Sequence, residues 1–191
     1  MTYNTREEWL VALATELETV FKEHGANLPK YRVTCGFPSS GGLAAKNRTI
    51  GQCWDNSASA DNTAEIIIGI TQDNTMKVAG VLAHEMVHAA VGVEAGHGPK
   101  FRRLATAIGL QGKMTATTES KAFKQRVQPI LDKLGDYPHS ALDASQRKKQ
   151  GTRMIKCVCP QSGYTVRTTR KWLQEFGAPI SPVTHVVMEV H

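Results

Sequence analysis

Residues 75–91, TMKVAGVLAHEMVHAAV, constrain this chain more than any other stretch. Val78, Val81, Leu82 and Val87 recur at helical spacing, and Gly92 and Gly96 bracket the end, so the pattern predicts one helix. Residues four apart lie on one helix face, which lets His84 and His88 direct their rings at a common point with Glu85 beside them. Two histidines and a glutamate in such a helix need either solvent or a purpose.

The rest of the chain frames that helix. Its 191 residues, 41% hydrophobic, support one substantial core and a small appended module. Only 6% are aromatic and 21% are charged, which excludes wholesale disorder and fibrous repeats. No apolar run approaches 18 residues, so no membrane span is expected. The opening MTYNTREEWL lacks a basic region followed by an apolar one, and a cytoplasmic location is the expectation. Cys35, Cys53, Cys157 and Cys159 then read as thiols or metal ligands rather than disulfides, with the first two as small core residues.

Thr5 and Glu8 make a capping box ahead of Trp9, Leu10, Leu13, Leu17, Val20 and Phe21, predicting a first helix that ends near Gly25. Short strand-like segments at 31–36, 49–54 and 64–70, separated by Gly, Ser, Asn and Asp, suggest a small sheet. After the central helix, Pro99 opens another helix stopped by Gly109, and residues 119–134 form a further one stopped by Gly135. Residues 136–151 are polar and lack an apolar period, which marks a linker. The domain reading is therefore 1–135, linker 136–151 and a small unit at 152–191.

The face shared by His84 and His88 suits zinc. Two neutral imidazoles fill two corners of a tetrahedron, a third protein ligand fills another, and the last is left for water acidified by the metal. Glu85, adjacent to the ion but not on it, is the expected proton acceptor in an H-E-x-x-H pattern. His97 follows where Gly96 lets the chain turn back, and it can return to the ion from the loop. The plainer alternatives are an amphipathic helix with incidental histidines and, for His97, a cap on the next helix. His24, His139, His185 and His191 read as surface or terminal residues.

HEMVHA at 84–89 followed by HGPKF at 97–101 resembles the catalytic helix of the SprT-like zinc metalloproteases. The order of a first helix, a sheet including AEIIIGI and then the histidine helix is also similar to that family, and the resemblance covers roughly residues 5–135. It implies an α+β, zincin-like protease domain with one catalytic Zn2+ on His84, His88 and His97, and with Glu85 as the catalytic acid/base. In the wider zincin class, substrate lies along an edge strand, for which residues 65–70 are the candidate. The resemblance further implies protein substrates bound or crosslinked to DNA.

Members of that family often carry a C-terminal zinc ribbon, and CPQSGYTVRTTRKWLQEFGAPISP is similar to one. Here Ser162 and Ser181 stand where the second and third cysteines belong, and Cys157 is an addition. Serine is a poor zinc ligand, so the expectation is a degenerate ribbon-like module holding metal weakly or not at all. A makeshift site of Cys157, Cys159 and His185 is the alternative.

Charge is lopsided: residues 1–95 hold 7 Lys+Arg against 11 Asp+Glu, and residues 96–191 hold 16 against 6. Arg147, Lys148, Lys149, Arg153, Arg167, Arg170 and Lys171 are the candidate nucleic-acid contacts, because clustered cations displace counterions from phosphates. Tyr164 and Trp172 either stack on bases or form the module's small core, with the core expected for Trp172. The expected function is a zinc metalloendopeptidase acting on DNA-associated proteins. Its rivals are a nucleic-acid-associated binding factor that keeps the zinc fold without protease activity, and a peptidase indifferent to DNA.

Overall fold

The helix at residues 75–91 is mostly apolar because neighbours cover it on most sides. The computed structural model describes residues 3–147 and 154–191, and the chain divides into two compact units, Met1–Gln146 and Arg147–His191. The first contains α1 (Arg6–Glu23), β1 (Tyr31–Gly36), β2 (Gly51–Trp54), β3 (Ala64–Gly69), α2 (Thr75–Val91), α3 (Pro99–Ala107), β4 (Leu110–Lys113), β5 (Ala116–Glu119) and α4 (Lys121–Leu134). The second contains β6 (Met154–Val158), β7 (Thr165–Thr169), α5 (Arg170–Phe176) and β8 (Glu189–Val190). The architecture is α+β, helices around small sheets, as expected.

Local chemistry sets the helix starts. The Thr5 side chain accepts from the Glu8 amide while the Glu8 carboxylate accepts from the Thr5 amide, completing the capping box of α1. Asn74 caps α2 by accepting from the Lys77 amide, and Ser120 caps α4 through the Phe123 amide. Trp9, Leu10, Leu13, Leu17 and Phe21 of α1 join Val78, Leu82, Ala83, Met86 and Val87 of α2 in one core, with Phe101, Leu110, Phe123 and Val127 from the later elements.

The first sheet has the order β1-β3-β2, with β1 parallel and β2 antiparallel to β3. Residues 65–70 are therefore not the exposed edge that the sequence suggests. Residues 65–69 belong to the central strand, which pairs on both sides, Ile70 lies just past its end, and the run is apolar for that reason. The free edge beside α2 is β2. Gly51 pairs with Ile68 and Cys53 with Ile66, which puts both on the sheet face that packs on α2. On the solvent face Arg32 lies opposite Glu65, and its Nη1 is 2.9 Å from Asp61 Oδ2.

The first unit extends past residue 135. Tyr137 is buried against Trp9 in an edge-on contact with ring centroids 5.1 Å apart. The Leu142 amide donates to the Ile70 carbonyl, and Arg6 holds the Ser140 carbonyl. A polar segment thus has no apolar period of its own yet is tied down by backbone bonds and one aromatic anchor. Ala144–Gln146 of the expected linker form a 3-10 turn, and its last residues, 148–151, lie outside the described residues, as does Arg153 at the start of the expected module.

In the second unit the strand order is β7-β6-β8. Cys157 pairs with Val166 on one face, and both join Cys159, Met188 and Leu173 in a small core. Residues 170–176 form a helix rather than further strand, which turns Leu173 inward and leaves Trp172 and Phe176 outside, stacked at 5.6 Å. Trp172 is 49% exposed, so the expectation that it forms the module's core is corrected by helix α5. Among the described residues no helix is long and apolar enough to cross a membrane.

Gly109 ends α3 at φ +97, and a Cβ there would lie 2.9–3.1 Å from the Phe123 backbone and side chain. Gly109→Ala is expected to destabilise the first unit by about 2 kcal/mol through backbone strain and crowding together. Urea unfolding of the full chain, followed by tryptophan fluorescence, measures the change.

Candidate metal centre

Three side chains from two segments meet at the open end of α2. His84 and His88 come from adjacent turns of that helix. Beyond it the chain reverses through Gly92 at φ +87, a short 3-10 turn at Val93–Ala95, and Gly96 at φ +50. Both glycines adopt backbone conformations that other residues resist. That reversal brings His97 back over α2 before Pro99 starts α3 at its first turn.

The ring nitrogens converge. His97 Nε2 lies 3.2 Å from His84 Nε2 and 3.2 Å from His88 Nε2. Nitrogens sharing a tetrahedral ion at roughly 2 Å lie about 3.3 Å from one another, so this spacing fits a shared cation. A hydrogen-bonded pair needs one ring proton between two nitrogens, and a single His97 Nε2 satisfies two such contacts less naturally than one ion satisfies three. Among the described residues, His84, His88 and His97 form the one group of three or more His, Cys, Asp or Glu side chains arranged to hold a metal ion.

Phe101 supports the trio from below. It is fully buried, and its ring centroid is 4.8 Å from that of His84, 4.4 Å from His88 and 4.9 Å from His97. The aromatic platform narrows the rotamers open to all three imidazoles. His84 is also fixed from outside, with Nδ1 2.8 Å from Thr117 Oγ1 on β5. His88 Nδ1 is buried with no hydrogen-bond partner, so on that side packing holds the ring.

Burial sets the protonation states. Desolvation pushes His84 down to about 3 and His88 down to about 4, with the neighbouring imidazoles contributing, and it lowers His97 as well. The three rings are therefore neutral near pH 7, the form that offers a lone pair to a metal. Desolvation pushes Glu85 the other way, up to about 8. A dication held beside it would draw that value down again, because a nearby positive charge favours the carboxylate.

Glu85 sits under the edge strand. A Cβ on Gly51 would collide with the Glu85 carboxylate and with Val81 of α2, so the absence of a side chain at 51 lets the β2 backbone pass directly over Glu85. A glycine inside a strand-like segment is the sequence signal for such a close approach. The site opens into a cleft of about 590 Å³, lined by Asn47–Cys53 on one side, by Lys77, Val81, His84, Glu85 and His88 along the helix, and by Thr115–Thr118 opposite. The β4–β5 pair that supplies this last wall was not legible in the sequence, since its strands are four residues long and mostly polar.

The other candidates lie elsewhere. His24, His139, His185 and His191 are exposed. In the second unit, Arg167 faces Lys156 across β6 and β7, while Arg170 and Lys171 open α5, with Lys171 Nζ 5.1 Å from the Trp172 ring centroid. Arg147 closes the first described stretch, and Lys148, Lys149 and Arg153 lie outside it. Cys159 Sγ is 3.0 Å from Thr184 Oγ1, and hydrogen bonds from Ser162, Thr184 and Ser181 lower its thiol to about 6. Ser181 is fully buried, and its Oγ accepts from the Val183 and Thr184 amides. Hydroxyls thus surround the one thiol, and Cys157, Cys159 and His185 do not gather into a ligand group.

Incubated with zinc and desalted, the full chain is expected to retain one equivalent by atomic absorption. His88→Ala should lose it, and Cys157→Ser with Cys159→Ser should keep it. Loss from the cysteine variant would move the metal to the second unit.

Residues 33–121, a little under half of the chain, match the model described as the SprT-like family. No curated protein and no solved structure matches the chain.

Proposed function

We propose that the SprT-like domain of this chain is a zinc-dependent metalloendopeptidase, a reading consistent with its α+β, zincin-like fold. The observation that carries the proposal is the convergence of His84, His88 and His97 in a cleft whose wall holds Glu85. Three neutral imidazoles with no carboxylate among them would suit zinc, with His84, His88 and His97 holding the ion.

An extended polypeptide would add to the outer side of β2, an edge strand of its sheet, next to Glu85. Zinc, when bound, supplies a Lewis acid for the scissile carbonyl and for the attacking water. Glu85 takes the proton as the water attacks and passes it to the departing amine, so the carboxylate ends the cycle as it began. The β2 backbone at Gly51 and the Val81 side chain crowd the buried Glu85 carboxyl and shield it from bulk water. No covalent bond to the chain is needed.

DNA-associated proteins are the proposed substrates. Support comes from the second unit, where Lys156 and Arg167 stand opposite each other on paired strands, a like-charge arrangement that costs stability unless an anion lies near. Exposed Trp172 and Phe176 beside Arg170 and Lys171 add stacking surface to the cations. The same features favour the second reading, a nucleic-acid-binding factor whose zinc site is only structural.

Glu85→Gln separates the two. The variant should keep one zinc equivalent yet cleave a DNA-bound protein substrate at least ~10²-fold more slowly than wild type, tested with and without single-stranded DNA. Zinc binding with no cleavage by wild type under either condition favours the binding factor. Replacing Arg167, Arg170 and Lys171 by Ala should weaken single-stranded DNA binding and reduce the slope of log K against log salt by about 2. An unchanged salt slope would remove DNA from the proposal.

A further inference from the structure

The β4–β5 pair is docked across α2 at two points, and the second of them reaches the metal centre. Glu119 lies against Gly80, whose missing side chain makes room for the carboxylate, and the Glu119 carboxylate is 3.7 Å from Lys77 Nζ. Thr117 Oγ1 lies 2.8 Å from His84 Nδ1. Thr117 and Glu119 are two apart on a strand and share a face, and Gly80 and His84 are four apart on a helix and share a face. Two strand residues rise about 6.8 Å and four helix residues about 6 Å, so the two pairs come into register without distortion.

The strand is itself held in place by its ends. Leu110 and Met114 are buried, Gly109 turns the chain out of α3, and the Ser120 amide donates to the Gly109 carbonyl. Thr117 therefore meets His84 from a supported position.

Resting on the metal-centre reading above, we infer that Thr117 is a positioning residue which fixes the tautomer and ring orientation of His84 so that Nε2 is presented to the metal. His84 Nε2 faces His97 Nε2 at 3.2 Å, which assigns the lone pair to Nε2 and the ring proton to Nδ1 when a cation is shared. Nδ1–H then donates to Thr117 Oγ1, and the hydroxyl proton is free to turn toward the cleft that Thr117 lines. His84 needs this support more than His88, because His88 is buried and makes the shorter contact with Phe101. Outer hydrogen bonds of this kind raise ligand basicity and remove the entropy of an unrestrained ring.

Thr117→Val keeps the branched shape and removes the acceptor, and Thr117→Ser keeps the acceptor. Zinc affinity of the full chain, measured by competition with a chromophoric chelator, is expected to fall 10–100-fold in Thr117→Val and to stay within about threefold of wild type in Thr117→Ser. The melting temperature of the metal-free chain should be the same in all three. Nitrogen chemical shifts of the His84 ring in zinc-loaded wild type should report the proton on Nδ1.

Equal affinity in wild type and Thr117→Val overturns the inference while leaving the metal centre intact. So does equal loss in both variants, which would indicate packing rather than the hydrogen bond, and so does a proton on Nε2. Absence of zinc binding by wild type overturns the metal-centre reading and this inference with it.

Discussion

The first unit is arranged around drawing His88 and Glu85 out of water, with His84 half-buried beside them and His97 closing over them from the turn. Left uncompensated, such burial is unfavourable, and here it depresses the histidines and raises Glu85. The cost has a chemical use, because neutral imidazoles with lone pairs aimed at one point are what a cation requires. The apolar character of α2, the Phe101 platform and the return of the chain through Gly92 and Gly96 all serve that convergence.

Two glycines decide how closely the walls of the cleft can approach. Gly51 admits the β2 backbone over Glu85, and Gly80 admits Glu119 of β5 against α2. The helix therefore carries a strand on each side of its polar face, one offering a free edge and the other a hydroxyl for His84. Neither strand contributes a metal ligand, yet both set the conditions under which ligands and carboxylate act.

The second unit solves a different problem with little material. Its core is two thiols, a methionine and two partly buried aliphatic residues, and Ser162, Ser181 and Thr184 provide hydrogen bonds around Cys159. Short β pairing and turn hydroxyls hold it, so large apolar side chains such as Phe176, Ile180 and Val187 stay exposed. That outcome explains the exposure of Trp172: against so small a core, a seven-residue helix half-buries Leu173 and leaves its neighbour outside.

The first helix, the histidine helix and the turn-back to His97 were legible because they rest on local rules: a capping box, a 3.6-residue period and glycines at the helix end. The same rules place the two histidines of H-E-x-x-H on one candidate ligand face. Which strand forms the edge was not legible, since the apolar run at 64–70 fits an edge or a central strand equally well until its partners on both sides are known. Nor could spacing show that Gly51 yields to Glu85 or that Thr117 reaches His84, contacts between residues 34 and 33 positions apart in sequence. By itself the sequence determined the candidate ligand trio, because its spacing is a property of one helix and one turn. The tertiary structure alone decided what surrounds them, because that depends on distant segments finding a common register.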